Sequence, residues 1–145
     1  MIVLDANVFL YAYDDSSTSH AACHAWLTQA LNGSEKIGLP WQTAQAFLRI
    51  ATNPRIYVQP MSIQTAIDIV ASWLARPQVV AISPEDRFWT IFREQLTSGR
   101  ASGPLVTDAA IATIAVEQGA TLCTTDRDFR RFDGVKLIDP TQLTN

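Results

Sequence analysis

At 145 residues, 48% of them hydrophobic and 17% charged, the chain has the make-up of one soluble globular domain, residues 1–145, and not of a disordered or fibrous segment. A net charge of −3 supplies no broad basic field, so any polyanion the protein handles must be held by local groups. No apolar stretch has the length of a membrane span, and the N-terminus carries neither the basic region nor the small-residue cleavage site of a secretory signal, so a cytoplasmic protein is expected.

Met1 to Asp5 reads as a strand. The Ser/Thr cluster Ser16 to Ser19 offers an N-cap for a helix through AACHAWLTQAL, stopped by Asn32-Gly33. KIGL is a second strand, and Pro40 leads into a helix, QTAQAFLRIAT, that Pro54 must end. Ser62 can cap SIQTAIDIVASWLA, with Pro77 at its far end. VVAI is strand-like; Ser83-Pro84-Glu85-Asp86 then supplies a cap, a first-turn proline and two acids for a helix running to about Gly99. The loop SGRASGP leads to DAAIATIAVEQ, a helix closed by Gly119 and capped by Thr107 or Asp108. TLCTT and VKLI are the last strands. Strands alternating with helices imply a mostly parallel central sheet covered on both faces, a three-layer α/β/α domain. Cys23 and Cys123 are far apart, lack zinc-site spacing, and read as buried, reduced thiols.

Functional groups of open parallel sheets collect outside the carboxyl ends of the strands. Asp5 ends the first strand and Asp126 follows TLCTT, with Asp128 two residues on, while Asp108 opens a helix. If these segments are neighbours, three or four carboxylates converge, and such a cluster repels itself unless it takes up protons or a cation. Oxygen-only ligands suit Mg²⁺ or Mn²⁺. Arg49, Arg55, Arg100 and Arg127 are the cations nearest these motifs, and each is equally readable as an ordinary solvated charge. His20 and His24, four apart, lack an evident third ligand and read as an exposed helix face; Trp26, Phe47, Trp73 and Trp89 read as core or dimer surface.

MIVLDANVFLYAY, LPWQTAQAFLRIATNPRIY and GPLVTDAAIATIAVEQGATLCTTDRDFRRFDGVKLIDP together resemble a PIN domain, and specifically the VapC toxins of bacterial type II toxin–antitoxin pairs. The resemblance spans nearly the whole chain. It implies a Mg²⁺-dependent endoribonuclease, in which Mn²⁺ substitutes, usually a homodimer and neutralised by a VapB-like antitoxin. On the matching positions it implies Asp5, Asp108 and Asp126 as metal-pocket acids, Asp128 as a further acid, and Asn7 and Thr125 as polar residues lining the pocket. Metal-assisted phosphodiester hydrolysis is the chemistry these groups allow, with RNA as substrate.

The chain departs from the family's pattern at one point. Many PIN domains carry a glutamate on the helix after the second strand, just before an apolar pair; here the sequence is Gln45-Ala46-Phe47-Leu48, and Ala46 aligns with the missing acid. A non-catalytic PIN-like module that only binds a partner is therefore the principal alternative. A haloacid-dehalogenase-like phosphatase also places an aspartate after its first strand, but it needs a second acid where Asn7 stands and a downstream lysine; the chain's only lysines are Lys36 and Lys136.

Overall fold

The computed structural model describes residues 1–143. Its centre is a sheet of five parallel strands, β1 (Ile2–Leu4), β2 (Ile37–Pro40), β3 (Val79–Ile82), β4 (Thr121–Cys123) and β5 (Lys136–Ile138), in the spatial order β3-β2-β1-β4-β5. The chain builds outward from β1 to β2 and β3, then returns to lay β4 on the other side of β1. That reversal opens a crevice beyond the carboxyl ends of β1 and β4.

Six helices cover the two faces: α1 (Ala6–Ala12), α2 (His20–Asn32), α3 (Trp41–Ala51), α4 (Ile63–Leu74), α5 (Phe88–Ser98) and α6 (Leu105–Glu117). One core unites α1 to α4 around Phe9, Phe47 and Trp73, with Phe9 and Trp73 stacked at 3.7 Å between ring centroids. The other joins α6 to Val3, Leu122, Phe129 and Phe132. The mostly parallel three-layer sheet read from the sequence is therefore present, with every strand pair parallel. Trp73 and Phe47 are core residues and Trp26 packs against the core, whereas Trp89 is 65% exposed. No described helix is long and apolar enough to cross a membrane.

Several boundaries differ from expectation. The segment after Asp5, for which the sequence predicts no element, is helix α1; Ala6, Val8, Phe9, Leu10 and Ala12 are all buried, so its 3.6-residue period is masked. The helix expected from Ser83-Pro84 starts only at Phe88, because the Glu117 carboxylate accepts the N–H groups of Glu85 (3.0 Å) and Arg87 (3.0 Å) and holds that stretch as a turn. Helix α6 starts at Leu105, not at Asp108: Pro104 takes the N-cap position, and neither Thr107 nor Asp108 caps it. Ser62 does cap α4, accepting from Thr65 N at 3.1 Å.

Close packing between strands depends on Gly38 in β2. A Cβ there would lie 2.3 Å from Ile82 Cδ1 and 3.1 Å from Val3 Cγ2, so side chains of the second core crowd the sheet at this point. Gly38→Ala is expected to destabilise the protein by about 1–3 kcal/mol through overpacking, measured as a lower denaturant midpoint at unchanged slope.

Candidate active site

The site is built where β1 and β4 end side by side. Asp5 N donates to Cys123 O at 3.0 Å, continuing the ladder one residue past Leu4↔Cys123, and this sets Asp5 beside Thr124. Asp5 has the extended backbone of an N-cap, and its Oδ1 accepts from Ala6 N at 2.7 Å. Its Oδ2 accepts from the Thr124 hydroxyl at 2.8 Å. That hydroxyl in turn accepts from Asn7 Nδ2 at 3.3 Å and from Asp126 N at 3.0 Å, so its donor and both acceptor positions are used. Asn7 Oδ1 receives Thr125 N at 3.4 Å.

Asp5, Asn7, Thr124 and Asp126 are thus one hydrogen-bonded frame. Thr125 takes part through its backbone, and the hydroxyl at the hub belongs to Thr124, which sequence reasoning missed. The pair Thr124-Thr125 offers two hydroxyls, and the bonds from Thr124 to Asp5 and from Asp126 N to Thr124 identify the one at the hub. Asp126 Oδ1 accepts from Asp128 N at 2.8 Å, capping the 3₁₀ turn Arg127–Arg131 and carrying Asp128 to the exposed rim.

Asp108 arrives from the other side of the crevice. The run Ala109 to Ala115 is wholly buried, and its alanines let α6 lie close against the sheet. The Thr43 hydroxyl on α3 donates to Leu4 O at 2.7 Å and ties that helix to the end of β1.

Two of the acids, Asp5 and Asp108, feel the charge of neighbouring carboxylates. Burial raises the Asp5 carboxyl to about 6, opposed by the Thr124 and Ala6 hydrogen bonds and reinforced by Asp108 and Asp126. Burial also raises Asp108 to about 6, reinforced by Asp126 and Asp128 and opposed by Arg131. Arg131 is the cation that acts on this cluster. Arg49, Arg55, Arg100 and Arg127 are exposed.

Two features bear on a metal. The donors that converge are carboxylate oxygens, which suit a hard cation that keeps several waters. Among the described residues, no three acidic, imidazole or thiol side chains are grouped tightly enough to hold an ion unaided. Asp5 and Asp108 would hold a Mg²⁺ only with water completing most of its shell. His20 and His24 are no such site: His20 Nδ1 lies 2.9 Å from Tyr11 O, and the two rings stand 5.4 Å apart. Cys23 and Cys123 are buried free thiols whose ionisation burial suppresses.

The raised Asp5 carboxyl has a definite sign for stability. Folded Asp5 keeps its proton up to about pH 6 while the unfolded chain releases it near 3.8, so the folded state binds more protons between these values and stability falls as pH rises through them. At neutral pH the shift from 3.8 to about 6 makes the ionised Asp5 cost the folded state about 3 kcal/mol. Asp5→Asn is expected to stabilise the metal-free protein by about 1–2 kcal/mol at pH 7.5, after the loss of one hydrogen bond, and to give no gain near pH 4. Urea unfolding at the two pH values checks it; destabilisation at pH 7.5 would contradict the electrostatic account.

Comparison with known proteins agrees with this geometry. The family model for the PIN domain matches residues 2–135. Ribonuclease VapC37 of Mycobacterium tuberculosis is 38% identical over 143 residues, covering 99% of both chains. Ribonuclease VapC43 of the same species is 35% identical over 140 residues, covering 97% of this chain and 95% of its own. Among solved structures, VapBC2 from Rickettsia felis, bound to a DNA fragment from its promoter, contains a chain with the same fold at a TM-score of 0.68 and 19% identity, covering 96% of this chain and 98% of that one. With the acid-bearing crevice at the β1/β4 junction, these likenesses establish that the chain belongs to the VapC group of the PIN-domain family.

Proposed function

We propose that the protein is a Mg²⁺-dependent endoribonuclease, the toxin of a toxin–antitoxin pair, with Asp5, Asp108 and Asp126 as metal ligands. The observation that carries this reading is the frame that joins Asp5 and Asp126 through Thr124, in a crevice where burial and neighbouring carboxylates raise the Asp5 and Asp108 carboxyls. The names of the VapC relatives support ribonuclease activity, and the VapBC complexes among the structural neighbours support an antitoxin partner.

A bound Mg²⁺, or Mn²⁺ in its place, supplies Lewis acidity toward phosphate and water. The chain's own residues do the rest. Thr124 and Asn7 fix Asp5 and the Asp126 backbone, so the ligand carboxylates meet the cation with little reorganisation. Asp126, or Asp128 at the exposed rim with its backbone bonded to Asp126, orients the attacking water or accepts its proton. An antitoxin that inserts an arginine would bond these carboxylates and block the crevice. Exposed Trp89 and Val106 support a homodimer, and the free cysteines support a cytoplasmic setting.

One observation favours the alternative of a partner-binding module without catalysis: no three ligating side chains are tightly grouped among the described residues. Metal binding separates the two readings. With Mn²⁺ at about 100 times its Kd, thermal unfolding should shift by the equivalent of about 2.7 kcal/mol, and Asp108→Asn should lose that shift together with RNA cleavage. No shift at millimolar Mn²⁺ would favour the non-catalytic module.

The missing helix acid gives a second test. Ala46 is half-buried against the core while Gln45 is exposed, about 100° around the helix. Ala46→Glu is expected to tighten Mn²⁺ binding or admit a second ion, and Gln45→Glu to change neither, as read by calorimetric titration. If only Gln45→Glu alters affinity or stoichiometry, the alignment is wrong by one residue.

A further inference from the structure

Arg131 ends the 3₁₀ turn that follows Asp126, and its guanidinium stands between two parts of the molecule. Nη1 donates to Gly99 O at 3.0 Å, and Nη2 lies 3.7 Å from Asp128 Oδ1. The first contact is a good hydrogen bond to the C-cap carbonyl of α5. The second is too long to be one, and a guanidinium has five N–H donors. Among the described residues most of its donors are therefore uncommitted, and its side chain is 33% exposed.

The anchor is firm. Gly99 is buried, and Phe132, the next residue after Arg131, packs so closely that a Cβ on Gly99 would lie 2.9 Å from its ring. A fixed cation with free donors is thus held at the rim of a carboxylate cluster.

RNA is repelled by such a cluster, and the chain's net charge of −3 provides no general attraction. We propose that Arg131 is the substrate-positioning residue of this site, binding a backbone phosphate next to the scissile one through its free N–H groups while Gly99 O holds the guanidinium in place. This rests on the ribonuclease reading. The competing role is purely structural, a cation bonded to the end of α5.

The two roles separate in RNA binding and its salt dependence. A fluorescently labelled single-stranded RNA is titrated into parent, Arg131→Gln and Arg131→Lys protein in EDTA at several NaCl concentrations. Arg131→Gln is expected to weaken binding about tenfold and to lower the slope of log K against log salt by about 0.7, the value for one phosphate contact on a single strand. Arg131→Lys should keep the slope and lose only part of the affinity, since it keeps the charge without the planar fork. In cleavage assays Arg131→Gln should raise KM with kcat little changed, while calorimetric Mn²⁺ affinity stays equal or tightens because a neighbouring positive charge is gone.

Parent-like RNA affinity and slope in Arg131→Gln would overturn the proposal. If that variant does not fold, Arg131→Lys decides: affinity and KM equal to the parent's would overturn it, and weakened binding with an unchanged slope would support it. A parent protein that neither binds nor cleaves RNA refutes the ribonuclease reading and this proposal together, whereas a cleaving parent with an indifferent Arg131 refutes this proposal alone.

Discussion

The hydrogen bond from the Thr124 hydroxyl to Asp5 is the contact on which the crevice depends. It crosses between the ends of β1 and β4, segments 119 residues apart in sequence, at the point where the strand order reverses. Because the same oxygen also accepts from Asn7 and from the Asp126 backbone, one side chain sets three distances at once. A carboxylate as buried as Asp5 would otherwise lose its charge altogether; two hydrogen bonds hold its proton affinity down to where it still ionises near neutrality.

The rest of the fold brings further negative charge to this frame and resists the repulsion. Helix α6 delivers Asp108 on an alanine-rich segment buried from Ala109 to Ala115, and the aromatic cluster of Phe9, Phe47 and Trp73 secures α1, which Asp5 caps. Burial that stabilises the domain is the same burial that raises the acids, so stability and site strain share one origin. A cation held there would relieve that strain only in the folded state, which would link its binding to stability.

How much of this is legible in the sequence follows from the range of the interactions. Alternating strands and helices, the Ser62 cap and the placement of Asp5 and Asp126 beyond strand ends depend on local pattern, and they are read correctly from it. Helix α1 is hidden because burial on nearly every side erases its period. The start of α5 is misjudged because the deciding acceptor, Glu117, lies 32 residues beyond Glu85. Thr124 and Arg131 escape for the same reason: their meaning comes from strand register and from Gly99 O, and neither is visible to spacing along the chain. Family resemblance named Thr125 as a polar residue of the pocket, and its neighbour Thr124 supplies the hydroxyl that bonds Asp5.

The face of α3 where a glutamate is lacking has a related feature. Gln42 lies four residues before Ala46, one turn away on the same side of the helix, and its Oε1 is buried with no hydrogen-bond partner. A buried acceptor left without a donor costs about 1–3 kcal/mol, and α3 bears this cost close to where Thr43 fastens it to the end of β1. Packing alone gives no reason to keep an amide there, since an apolar residue would remove the cost. The unmet acceptor thus sits on the helix that Thr43 fastens to the end of β1, the strand whose carboxyl end carries Asp5.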